Sequence, residues 1–321
     1  MAHPGTMGSA RAARVTLFAA LAARPRLAAV AGALAIAMSG VLYRWSGASP
    51  STAVVFRCLY GLPILALLAV SESRTYGRMT RRTWALSALA GVFFACDLTT
   101  FHMTVDFMGA GLATVTSNVQ VVIVAFAAWA LFGERPRRVV LVALPVIMIG
   151  VVLISGVVGR GAFGANPQLG VAIGLFTATA YSGYLLVIRR ASPDHRPAGP
   201  VAIATASTCV TAAVFGLVLG NLNLMPSLPA HLYLAALGVL AQSFGYVAIQ
   251  ASLPKLPAVI TSVLLLVQPV ASVALGGVLL GEAPSFWQLA GVVLVIGGIA
   301  LATGAVARLI SARGLVARRA S

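Results

Sequence analysis

The chain has 321 residues, of which 60% are hydrophobic and only 9% charged, with a mean hydropathy of +0.98; a soluble domain carries about 25% charged residues, so this chain cannot keep a solvated surface. A formal net charge of +16 would fit a nucleic-acid partner if the basic residues clustered, but they lie in short stretches between apolar runs, which excludes that reading and points to a polytopic membrane protein. Cys58, Cys96 and Cys209 all fall inside apolar runs without paired spacing, so neither a disulfide framework nor a zinc site is indicated.

Residues 1–26 form a basic tail in which Arg11, Arg14, Arg24 and Arg26 flank a short apolar stretch, VTLFAALAA. A cleaved signal peptide is the lesser reading, because a full-length apolar span follows at once and needs that positive flank to orient. Apolar runs then recur along the chain, each near the ~20 residues that cross a core of about 30 Å as helix. Their predicted bounds are 27–45, 51–70, 83–105, 109–132, 138–156, 168–189, 199–220, 230–251, 257–280 and 285–306. A second basic tail, 307–321, closes the chain. The expected fold is therefore all-α, with ten transmembrane helices.

Charge orients them. With the N-terminus cytoplasmic, 19 of the 22 basic residues fall in segments on one side, only Arg44 and Arg160 fall on the other, and Arg57 lies within the second span. Basic residues accumulate in cytoplasmic loops, so the count predicts that both termini are cytoplasmic.

The sequence also repeats. Residues 119–136 read VQVVIVAFAAWALFGERP and residues 267–284 read VQPVASVALGGVLLGEAP, with Val119, Gln120, Val122, Leu131, Gly133, Glu134 and Pro136 recurring 148 positions later. Leu141 and Gly150 recur as Leu289 and Gly298 in the same frame. Two five-span units, 27–156 and 168–306, follow; five is odd, so the second enters from the opposite side. GERPRR then lies on the basic side and GEAPS on the other, in agreement with the charges. Inverted duplication of this kind builds alternating-access transporters around an axis in the membrane plane.

Ten spans, an apolar helix ending in L-x-G-E-x-P in each half, and Pro50 and Arg57 ahead of and within the second span together resemble the EamA-type branch of the drug/metabolite transporter superfamily. The resemblance covers residues 27 to 306. It implies a ten-helix inverted repeat in the bacterial inner membrane, with no cofactor, that moves metabolites, amino acids or drugs, frequently outward. Pro269 departs from the first copy, which has Val121 there, so the halves are not expected to move alike.

Gly133, Glu134 and Pro136, and their counterparts Gly281, Glu282 and Pro284, end spans four and nine. Each proline suits the start of the next helix and each carboxylate its positive end, so both are expected to set helix boundaries; solute contact is the alternative. Polar residues within spans are better candidates for a site, because each must find a partner or face water. At ~1.5 Å per residue, Gln120 and Gln268 lie roughly 17 Å deep and Gln242 roughly 18 Å, with Asn118, Tyr181, Tyr184 and Tyr246 at nearby levels. They predict a central pocket for a small polar or amphipathic solute. Helix-to-helix hydrogen bonding, worth about 0.6–2 kcal/mol, is the competing role.

Arg57 and Asp97 lie roughly 9 Å and 12 Å from the same face by the same rise. Two such charges are expected to pair; otherwise Asp97 exchanges a proton during transport, protons being the candidate coupling ion. An enzyme is not expected, since no metal-binding or nucleophilic constellation is present. A channel-like facilitator is the nearer alternative, as it too lines a path with polar residues.

Overall fold

Hydrocarbon offers no partner for backbone N–H and C=O groups, so a chain this apolar must satisfy them within each segment. The computed structural model describes residues 24–132, 138–191, 198–252, 265 and 267–302, and they are helical without a strand. Ten helices follow in order. Helix α1 runs Pro25–Ala37 and, past a turn at Met38, Ser39–Ser46; α2 is Pro50–Tyr76 and α3 Arg81–Met108. Helix α4 has two segments, Ala110–Ser117 and Gln120–Phe132, and α5 is Arg138–Ile154. In the second half α6 is Pro167–Ala191 and α7 Ala198–Val218; α8 runs Leu228–Leu237, then a π-helical stretch Gly238–Gly245, then Tyr246–Ser252. Helix α9 is Val267–Leu280 and α10 Phe286–Ala302.

Local chemistry sets several ends. Gly47 takes φ +60 where α1 stops, and the Ser49 hydroxyl accepts from Thr52 N–H before Pro50 opens α2, as capping and a first-turn proline favour. Thr80 and Ser227 cap α3 and α8 likewise. Pro63 and Pro145 sit inside α2 and α5 without ending them. Helix α2 runs six residues beyond its expected end at 70, and that extra turn carries Glu72 to the start of α7, where its carboxylate accepts from Ala198 N–H (2.9 Å) and Gly199 N–H (2.8 Å).

Packing repeats with two-fold regularity. If α1–α5 are matched to α6–α10, then α3 on α6 corresponds to α8 on α1, α7 on α3 to α2 on α8, and α4 on α6 to α9 on α1. The pairs α2 with α7, α4 with α9 and α5 with α10 map onto themselves. Glycine permits close approaches here: a methyl group on Gly91 of α3 would lie 2.3 Å from the Ala204 carbonyl of α7, and one on Gly291 of α10 2.5 Å from the Gly150 carbonyl of α5. Large apolar side chains such as Leu67, Val142, Val210 and Val293 point away from the bundle. With six helices long and apolar enough to span and four shorter apolar ones, this is a multi-pass membrane protein. One face carries Arg74, Arg78, Arg81, Arg82, Arg138, Arg189 and Arg190 and is called the basic face; Arg44, Asp106 and Glu282 lie toward the far face.

Candidate solute cavity between the repeats

A cavity of about 380 Å³ lies between the halves, lined from both. Asn118, Gln120, Tyr181, Tyr246 and Gln268 line it, together with Arg57 and Asp97. Gln242 and Tyr184 do not. Gln242 stands behind the wall, where its Oε1 accepts from Arg57 Nε (2.8 Å) and its Nε2 donates to Thr205 Oγ1 (2.9 Å). The π-helical stretch of α8 contains Gln242 and runs close against α2: Ser243 donates to the Gly61 carbonyl (3.1 Å), and a methyl group on Gly238 would lie 2.7 Å from the Arg57 carbonyl. Such insertions re-aim a side chain at functional sites. Tyr184 is buried in an aromatic layer, stacked on Phe94 at 4.5 Å and on Tyr181 at 5.5 Å, with Phe94 edge-on to Tyr246.

Helix α4 breaks beside this cavity. Val119 N–H donates to Thr116 O, Val121 N–H to Asn118 O and Val122 N–H to Val119 O, so the ladder tightens to three-residue steps. Asn118 Nδ2 turns back to Thr114 O at 2.8 Å. Polar side chains around a discontinuous helix at mid-depth are how transporters form a solute site without irregular backbone facing lipid.

The expected Arg57–Asp97 ion pair does not form. Arg57, 1% exposed, is held by Gln242, and its guanidinium also reaches the Tyr246 hydroxyl. Asp97 is 7% exposed; its main-chain carbonyl accepts from the Thr100 hydroxyl (3.2 Å), but its carboxylate makes no hydrogen bond to another described residue. Similar depth puts the two charges on one cavity but not in contact, because depth along a helix does not fix rotation about its axis. The ion pair found among the described residues is Arg44–Asp106 (3.5 Å), half exposed toward the far face. Tyr43 donates to Asp106 Oδ2 (2.7 Å), and its ring stacks on buried His102 at 4.1 Å. This cluster is not visible in the sequence, since His102 and Asp106 come from α3 and Tyr43 from α1.

The motif glutamate Glu282 sits at a helix start, but not the expected one. Its Oε1 accepts from Ala110 N–H (2.6 Å) and its Oε2 from Gly111 N–H (3.1 Å), so it caps α4 of the other repeat rather than α10, which follows it. The start of α10 is served instead by Gln288, whose Oε1 accepts from Ser285 N–H (3.0 Å) and Phe163 N–H (2.7 Å). Gly281 ends α9 at φ +66, and Pro284 lies two residues before α10. Gly133, Glu134 and Pro136 lie outside the described residues.

Two matched five-helix halves around a polar cavity and a broken helix define a membrane transporter architecture. Residues 25–156 and 168–304 each match the EamA-like transporter family, and the chain belongs to that family, whose members are transporters rather than enzymes. It is also similar to a solved structure titled only "Crystal structure of protein", at 18% identity over 87% of this chain and 98% of that one, with a TM-score of 0.59. That likeness speaks to the fold alone. None of the curated proteins matches the chain.

Proposed function

We propose that this protein is a secondary transporter of the bacterial inner membrane, with both termini cytoplasmic, that exports small metabolites, amino acids or drugs by alternating access between two units, 27–156 and 168–306. The observation that carries this reading is the cavity itself. Arg57 and Asp97 both line it without pairing, beside the amides of Asn118, Gln120 and Gln268 and the phenols of Tyr181 and Tyr246. A cation and an anion on one cavity without a bond to each other suit a solute that carries both signs or several hydrogen-bonding groups, and the aromatic layer suits an apolar body.

Gln120 and Gln268 stand at equivalent positions of the two repeats, which supports a role on opposing sides of the solute. Asp97 is the candidate proton-coupling group. The purified protein in proteoliposomes, offered a panel of radiolabelled amino acids, metabolites and cationic drugs, tests the proposal. Saturable uptake with counterflow of at least one class is expected; flux that rises linearly with concentration and shows no counterflow would make it a channel.

A further inference from the structure

We infer that the Glu282 carboxylate is the latch that keeps the far side of the cavity closed. Glu282 follows α9 of the second repeat, whereas Ala110 and Gly111 open α4 of the first. Among the described residues its two hydrogen bonds are the side-chain hydrogen bonds that join α4 to the α9 end. Thr114, which lines the cavity, lies one turn further along α4, about 6 Å below Ala110 at 1.5 Å per residue. Solute can leave toward the far face only if the start of α4 and the end of α9 part, and these bonds are then lost.

The seat is shaped for this group. Gly109 takes φ +86 ahead of α4, and a methyl group there would lie 2.8 Å from the Glu282 carboxyl carbon. A methyl group on Gly276 would lie 2.3 Å from Oε2. The main-chain N–H of Glu282 is fixed to Gly276 O at 3.1 Å. A buried carboxylate on two backbone N–H groups at a helix start is a strong, charge-assisted contact. It is also reversible, because water on the far face can take over both the carboxylate and the helix start when they separate.

The inference rests on the transporter reading, but its test reads opening rather than transport. In a background with Cys58, Cys96 and Cys209 replaced by alanine, one cysteine is placed at Thr114 or, at the basic end of the cavity, at Ile249. Labelling by a bulky hydrophilic maleimide is timed in lipid nanodiscs without solute. In Glu282→Gln and in Gly276→Ala, whose added methyl displaces the carboxylate, labelling at Thr114→Cys is expected to accelerate at least fivefold while that at Ile249→Cys does not. Unchanged labelling at Thr114→Cys in both variants would overturn the latch. So would equal acceleration at both sites, which marks general loosening, or loss of folded protein in both variants, which marks a purely structural cap. A protein that transports no solute in the panel could still pass this test, so the two readings fail separately.

Discussion

Val121 and Pro269 occupy equivalent positions of the two repeats, and neither gives an N–H to the residue four before it. Val121 donates to Asn118 instead of Ser117, and Pro269 has no N–H to offer Leu265. Ser117 and Leu265 both line the cavity. The proline that makes the two copies differ in sequence stands in the first turn of α9, where an N–H has no intrahelical acceptor, and at the equivalent place in α4 the regular bond is already absent, so the difference does not by itself give the halves different backbones.

This equivalence predicts an asymmetric tolerance of proline. Inside an intact helix a proline costs about 3 kcal/mol or more. Val121→Pro gives up only the 3.2 Å bond to Asn118, which is worth about 1 kcal/mol, so its folded yield and Tm should stay near wild type. Proline at Ile123, two residues on, removes the regular four-residue bond to Val119 O (3.4 Å) and sets its ring against that carbonyl, and should lower both clearly. Pro269→Ala should also fold normally, since Pro269 lies in the first turn of α9, where its N–H would have no intrahelical acceptor. Thermal shift and folded yield on the three variants check this, and equal damage from Val121→Pro and Ile123→Pro would refute it.

Gln242 is predicted to act through Arg57 rather than on solute. Gln242→Leu leaves a buried guanidinium without its main acceptor, a loss of about 1.5–3 kcal/mol for a hydrogen bond to a charged group, so Tm and folded yield should fall. Gln120→Leu and Gln268→Leu should lower transport while folded yield holds, since both face the cavity. Binding isotherms together with Tm separate the two patterns. A stable, transport-dead Gln242→Leu would place Gln242 in the cavity after all.

Much of this was legible in the sequence, for identifiable reasons. Span number and duplication follow from hydropathy and the recurring Gly-Glu motif, which are properties of single segments. Depth along a helix follows from rise alone, so Gln120, Gln268, Arg57 and Asp97 were placed at the level of the cavity. Rotation about each helix axis was not legible, which is why Gln242 and Tyr184 were expected on the cavity wall and Arg57 was expected to meet Asp97. The Glu282 cap was missed for a related reason: a helix end reads as belonging to its neighbour in sequence, whereas its partner at Ala110 is 172 residues away.

The distribution of arginines predicts the orientation. Reporter fusions after Arg138, Arg196 and Ser321 should report cytoplasm, and those after Asn166 and Asn223 the exterior. Asn166 lies in the α5–α6 connection, where its N–H donates to Phe107 O at the far end of α3. A cytoplasmic signal at Asn166 would remove an odd span count per unit, and the inversion with it.

Asp97 gives the sharpest test of coupling. Because the Asp97 carboxylate makes neither an ion pair with Arg57 nor a hydrogen bond to another described residue, Asp97→Asn removes charge without breaking a hydrogen bond among the described residues. Its stability should match or exceed wild type, since a buried carboxylate without a described partner costs free energy that a neutral amide does not. Arg57→Gln should be destabilising on its own account through the loss to Gln242, and adding Asp97→Asn should recover at most a small part of that loss, since the two charges share a cavity wall but no bond. If Asp97 carries the coupling proton, Asp97→Asn should abolish accumulation driven by a pH gradient while retaining downhill exchange of the same solute. The two activities are measured on one proteoliposome preparation with the gradient present and then collapsed by nigericin. Retained pH-driven accumulation would rule out coupling through Asp97, and a double mutant restored to wild-type stability would show that the two charges form a direct pair.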